Sequence, residues 1–260
     1  MSRRFRIAAA LALSAVLLAT AACDRAERGA TTVSGHVTVF AAASLTEPFD
    51  DLTTSLKASA PGLSVRYSFA GSGALVTQVQ QGAPADVVAT ADTASMKRLT
   101  DAGLVEAPTT FARNKLEMLV APGNPKAIHA LSDLSRSDVR LVTEDDTVPA
   151  GRYSAQMLRA AGVAVHPVSR EADVKSAVAK VTSGEVDATI VYVTDVNAAG
   201  TKSTGVAIPD AQNVIAEYPI AVVKASRHHD AAAAFVDAVV GDSGRRALHE
   251  HGFLPPASGS

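Results

Sequence analysis

The stretch VTVFAAASLTEPF, Val37 to Phe49, reads as the end of one element and the start of another. Val37, Val39 and Phe40 predict a buried strand. Leu45, Phe49, Leu52 and Leu56 recur at helical spacing. Between them stand Ala41, Ala42, Ala43 and Ser44. Residues with almost no side chain let something approach the backbone closely, and one hydroxyl is offered there. Ser44 and Glu47 form a capping-box pattern with Ser44 as N-cap. A capping hydroxyl accepts a bond from its helix and keeps its own proton to donate. With the free N–H groups and positive end of a helix, that junction suits an anion. Read alone, the motif favours a plain helix cap, and the two roles are compatible.

The same rhythm continues along the chain. Strands are predicted at Leu63–Ala70, Ala85–Ala91, Lys115–Pro122, Asp138–Thr143, Val163–Val168, Ala188–Asp195 and Glu217–Lys224. Helices are predicted at Leu45–Ser59, Ala74–Gln81, Thr93–Ala102, Ala150–Gly162, Glu171–Gly184 and His229–Glu250. Strands alternating with helices imply an α/β fold of parallel sheets covered on both faces. Ligands of such sheets bind where strands end and helices begin. Two similar halves imply two lobes with a cleft between them, although no internal repeat is evident.

Several other strand-to-helix junctions repeat the pattern of the first. SFAGSGALV (Ser68–Val76) places Ser72 between two glycines that permit close backbone approach. It lacks the first glycine of G-x-S-x-G and the Gly-Lys-Ser/Thr of a P-loop. TVPAGRYS (Thr147–Ser154) and EADVKSAV (Glu171–Val178) are two more helix starts, and Tyr192 sits inside the apolar strand IVYVTD. Taken singly, these read as a tight turn, a preset loop and a core tyrosine.

Composition excludes several classes. In 260 residues, 24 Lys plus Arg nearly balance 26 Asp plus Glu, which advertises neither nucleic acid nor an acidic membrane as partner. Hydrophobic residues make up 47%, too many for a disordered chain. No cluster has metal-ligand spacing, and His228-His229 reads as a solvated pair. Asp86 and Asp92, near strand ends, read as caps. No nucleophile, base and orienter assemble, so an enzyme is not expected.

The N-terminus carries three arginines, an apolar run from Ile7 to Ala19 and then small residues, the three-part pattern of a secretory signal. The run is short for a transmembrane helix. Cys23, the only cysteine, follows TAA and resembles the lipid-modified cysteine of bacterial lipoproteins. Thr20 stands where Leu or Val is usual, so ordinary cleavage after Ala21 stays open. The polar segment to His36 reads as a tether.

VFAAASLTEPF, SFAGSGALVTQVQQGAPADVVATAD, VPAGRYS, EADVKSAV, IVYVTD and EYPIAVV together resemble the molybdate-binding proteins of bacterial ABC importers. The likeness runs from about Val37 to Phe253. It implies a two-lobed periplasmic-binding fold, with 1–22 as signal peptide, 23–35 as tether, 36–115 plus 220–260 as the first lobe and 116–219 as the second. It implies that the hydroxyls and backbone N–H groups of Ser44 and Ser72 meet the oxyanion from lobe one. Backbone N–H groups of Ala150 and Val174 and the hydroxyl of Tyr192 would meet it from lobe two. It further implies a monomer, no cofactor, no metal beyond the oxyanion, and delivery to a membrane permease from the extracytoplasmic side, anchored through Cys23. Gly71 and Gly73 stand where some relatives carry serines. Sulfate or another oxyanion is the alternative ligand.

Overall fold

The computed structural model describes residues 34–257. The signal sequence 1–22, Cys23 and all but the last two tether residues lie outside the described residues.

The opening stretch forms strand β1 (Gly35–Ala42), a 3-10 turn (Ala43–Leu45) and helix α1 (Thr46–Ser59). Alternation explains why β1 is central. Val37, Val39 and Ala41 pack in one core with Phe49 and Leu52 of α1, while Phe40 points into a second core with Leu75 and Leu99. β2 (Leu63–Ala70) follows, then α2 (Ser72–Gln80), β3 (Val87–Ala89) and α3 (Thr93–Asp101). β1 pairs in parallel with both β2 and β3.

Long β4 (Thr109–Val120) leads to β5 (Val142–Glu144), α4 (Pro149–Ala160), β6 (Ser169–Glu171), α5 (Val174–Thr182) and β7 (Ala188–Tyr192). Then come α6 (Val193–Ala199), β8 (Thr204–Ala207), β9 (Ile215–Val222), α7 (His229–Val240) and α8 (Asp242–Glu250). The larger sheet runs β2-β1-β3-β9-β4-β7, with β8 also on β4. β5 and β6 pair in parallel, and Leu141 bridges in parallel to Ala188 at the start of β7. Each lobe thus has its own parallel strands, joined through β9 and β4.

The sheet is mixed rather than parallel. β9 runs antiparallel to β3 and β4, and β4 runs antiparallel to β7 and β8. β4 changes partners midway: Thr109–Lys115 lies against β9, and Leu116–Val120 against β7 and β8. Hydrophobic alternation reports burial, not the direction of a neighbour, so this crossing was invisible in the pattern. Val163–Val168 is not a strand; the edge strand is Ser169–Glu171, because Pro167 cannot donate to a ladder and Val168 is exposed. The C-terminal helix is two helices, divided at Gly241. At Gly244 an added Cβ would overlap the Val239 carbonyl, which fixes how closely the second helix turns back.

Candidate functional site

Chain segments at the carboxyl ends of six strands converge on one tight cavity of about 10 Å3. Ala42, Ala43 and Ser44 come from the end of β1; Ala70, Gly71 and Ser72 from the end of β2; Val148 to Ala150 from the loop after β5. Asp173 and Val174 follow β6, Tyr192 ends β7, and Ala91 follows β3. All five residues expected to bind, Ser44, Ser72, Ala150, Val174 and Tyr192, line this cavity. Four of these segments lead directly into the first turn of an α-helix, whose N–H groups have no partner inside the helix.

Ser44 is not the N-cap of α1. It is buried in the 3-10 turn, Leu45 occupies the cap position, and no side chain caps the helix. The capping box fails because both of its members are engaged elsewhere. Ser44 Oγ lies 3.0 Å from Tyr218 Oη of β9, and Glu47 reaches Lys175 of α5 at 2.7 and 2.8 Å. Ser72 is fully buried at the start of α2, and its Oγ accepts the Ala91 N–H at 3.0 Å. A hydroxyl that accepts through a lone pair still has a proton to give.

Tyr192 departs from the expectation of a core tyrosine satisfied locally. It is 1% exposed, yet no hydrogen bond of ordinary geometry reaches its Oη. Its ring meets Tyr218 edge-on with centroids 5.7 Å apart. Burial pushes the phenols of both Tyr192 and Tyr218 far up, so each remains protonated and able to donate.

No Lys or Arg lines the cavity. Its one charged lining residue, Asp173, turns its carboxylate to its own helix and accepts Ser176 N–H at 2.9 Å. The nearby cations are committed across the lobes. Arg152 of α4 pairs with Asp92, which also caps α3 by accepting Ser95 N–H at 2.8 Å. Lys175 holds Glu47 and lies 3.3 Å from the buried Asp195. Burial pushes Asp195 up to about 6, against the pull of Lys175. Burial lowers the Lys175 ammonium less than Asp195 and Glu47 raise it, so it stays charged.

The two glycines around Ser72 owe their identity to space. A Cβ on Gly71 would overlap Ala172 O, and one on Gly73 would overlap Thr147 O. Gly71 has an ordinary φ of −60°, so conformational freedom is not the reason. The loops of the second lobe press on this turn. The cross-lobe pairs of Arg152 and Lys175, and the role of Tyr218, were missed in the sequence; the only signal for Tyr218 was its place within EYPIAVV. A larger groove beside Asp86 and His228 gathers no comparable set of donors, because Asp86 already accepts from Thr38 N–H and Ser226 Oγ. Among the described residues, no three His, Cys, Asp or Glu are placed to hold a metal ion, and no helix is long and apolar enough to cross a membrane.

This arrangement can hold a small anion by dipoles and hydroxyl donors alone, between two lobes. Comparison with known proteins agrees with that geometry. The profile described as bacterial extracellular solute-binding protein matches residues 37–254. A molybdate-binding protein of Mycobacterium tuberculosis is 41% identical over 229 residues, covering 88% of each chain. The solved Azotobacter vinelandii periplasmic molybdate-binding protein superposes with a TM-score of 0.76 at 20% identity, over 85% of this chain and 99% of that one. The sulfate-binding protein SubI of M. tuberculosis superposes almost as well, with a TM-score of 0.74 at 22% identity, over 86% and 88%. At those identities the two structures speak for the fold, which sulfate and molybdate binders share. The chain belongs to the bacterial extracellular solute-binding proteins.

Proposed function

We propose that this protein binds molybdate, with weak discrimination against tungstate, and delivers it to the permease of an ABC importer. The observation that carries the reading is the donor-only, cation-free cavity between Ser44, Ser72, Ala150, Val174 and Tyr192. Molybdate at neutral pH is a fully deprotonated tetrahedral dianion, so it accepts hydrogen bonds and gives none. Oriented N–H and O–H dipoles stabilise it without a second desolvated charge. Phosphate keeps a proton near neutrality and would call for an acceptor. The 41% identical relative named for molybdate supports the same ligand.

Sulfate has the same charge and shape as molybdate but is smaller. In a cage fitted to longer metal–oxygen bonds it would leave hydrogen bonds stretched and donors unpaired. The role is binding without catalysis, a reading that the likeness to solute-binding proteins supports. The short apolar leader and Cys23 support secretion with a lipid anchor, and a monomer is expected. Intact mass of the native protein tests the anchor: a chain starting at Ala22 without lipid would rule it out.

The direct test is thermal unfolding of the mature protein with molybdate, tungstate, sulfate and phosphate in turn. At a thousandfold excess over its dissociation constant a ligand adds about 4 kcal/mol, or about 8–16 °C for a chain of this size. A large shift with molybdate and tungstate, and little with the others, is expected. A larger shift with sulfate would reject the molybdate reading and keep the fold.

A further inference from the structure

A serine hydroxyl can donate or accept, and a site for a fully deprotonated anion works only if its serines donate. What fixes their direction is on the protein side. At Ser72 the answer is a backbone group: Ala91 N–H occupies an Oγ lone pair at 3.0 Å. At Ser44 no backbone group does this; the one hydrogen bond its Oγ makes is to Tyr218 Oη, also at 3.0 Å.

We propose that Tyr218 is a positioning residue which donates its proton to Ser44 Oγ and thereby commits the Ser44 hydroxyl to the anion. This rests on the oxyanion reading above and extends it to a residue that does not line the cavity. Three observations favour the direction Tyr218 to Ser44 to anion. Tyr218 is completely buried, so its proton has no water to go to. Ser44 Oγ is the one hydrogen-bond partner of ordinary geometry that Tyr218 Oη has among the described residues. A phenol is a stronger donor and a weaker acceptor than an aliphatic hydroxyl, so the proton between them belongs to Tyr218. Finally, Phe111, Tyr192 and Phe253 pack edge-on around the Tyr218 ring, with centroids 6.3, 5.7 and 5.2 Å away, and hold it in place. An Oη in a ring held on three sides is a fixed donor, whereas a water in its place would reorient.

The consequence is selectivity as well as affinity. With one lone pair filled by Tyr218 and its proton turned to the cavity, Ser44 presents a donor where a monoprotonated oxyanion needs an acceptor. Both serines then turn their proton to the anion, one fixed by a backbone N–H and one by a phenol.

The test is calorimetric titration of the mature protein with molybdate, and with hydrogen phosphate at pH 7, for wild type, S44A, Y218F and the double variant. Phenylalanine keeps the three ring contacts, so thermal unfolding without ligand checks that the variants fold. If Tyr218 acts through Ser44, Y218F weakens molybdate about tenfold in the wild-type background and less than twofold in the S44A background. It also narrows the preference for molybdate over phosphate several-fold, because the Ser44 proton is then free to turn away from the anion. Equal losses in both backgrounds, an unchanged affinity, or an unchanged preference would each overturn the proposal. Wild-type protein that binds neither anion would overturn this inference and the molybdate reading together. Wild type that binds molybdate, with additive variants, would overturn this inference alone.

Discussion

The two lobes bring the same kind of atom to the cavity in opposite states of readiness. In the first lobe, Ser72 is already hydrogen-bonded within its own lobe through Ala91, and Ser44 to Tyr218 on the joining strand β9. In the second lobe, Tyr192 Oη is buried with no partner of ordinary geometry. A buried hydroxyl without a partner costs about 1–3 kcal/mol. The first lobe is therefore organised without the anion, and the second is left incomplete until something accepts from it. That asymmetry suits a two-lobed binder: one half receives, and the other half gains most when the cleft is closed on a ligand.

The strongest way to break the comparison is to keep the lobes apart. In G73A the added methyl would overlap the Thr147 carbonyl, a backbone atom that cannot rotate away. Affinity for molybdate should fall a hundredfold or more, equivalent to about 3 kcal/mol. Small-angle scattering should show the ligand-induced compaction reduced or lost. Wild-type affinity in G73A would mean that the contact is dispensable.

Next in size are the two anchors themselves, and here the lobes should separate. Ser72→Ala removes a hydrogen bond to a charged ligand, worth about 1.5–3 kcal/mol, and strands the buried Ala91 N–H as well. Calorimetry should show a tenfold to hundredfold loss of affinity, and the ligand-free protein should lose about 1–3 kcal/mol in urea unfolding. Tyr192→Phe should also weaken molybdate by about tenfold. Its ligand-free stability, however, should hold or rise, because the hydroxyl it deletes has no partner. If both variants destabilise the ligand-free protein alike, the asymmetry between the lobes is wrong.

Much of this site was legible because its physics is local. Short side chains at the ends of strands, glycines around Ser72 and Pro149 before Ala150 mark places where a chain turns from strand to helix, and such turns present N–H groups. Ser44 was legible as a position but not in its role. The capping box is a local pattern, and it was overridden by two partners distant in sequence, Tyr218 for the serine and Lys175 for Glu47. Tyr218, Arg152 and Lys175 share that limitation: each acts across an interface set by tertiary packing. The antiparallel crossing of β4 and β9 escaped notice for the same reason. Alternation tells which face is buried, and the three-residue strands β3, β5 and β6 are too short for it to mark their ends.

The smallest expected effect concerns the outer rim of the cleft, where Lys175 joins the lobes through Glu47 while facing Asp195 within its own lobe. Lys175 and Glu47 are both partly exposed, so the pair contributes on the order of 1 kcal/mol or less to closure. Lys175→Gln should weaken molybdate only about threefold by calorimetry. The same substitution has a signature in pH. Asp195 titrates at about 6 in the folded chain, above the ordinary 3.8. Between those values the folded state binds more protons than the unfolded one. This group's stabilising increment is therefore complete below pH 3.8 and lost as the pH rises through about 6. Lys175 opposes the upward push of burial, so removing it moves the folded value higher. Urea midpoints measured from pH 4 to pH 8 should decline over a wider span in Lys175→Gln than in wild type, and the extra decline should lie above pH 6. Parallel curves for the two proteins would show that Lys175 does not govern Asp195, and would leave the pairing with Glu47 as its only role in the cleft.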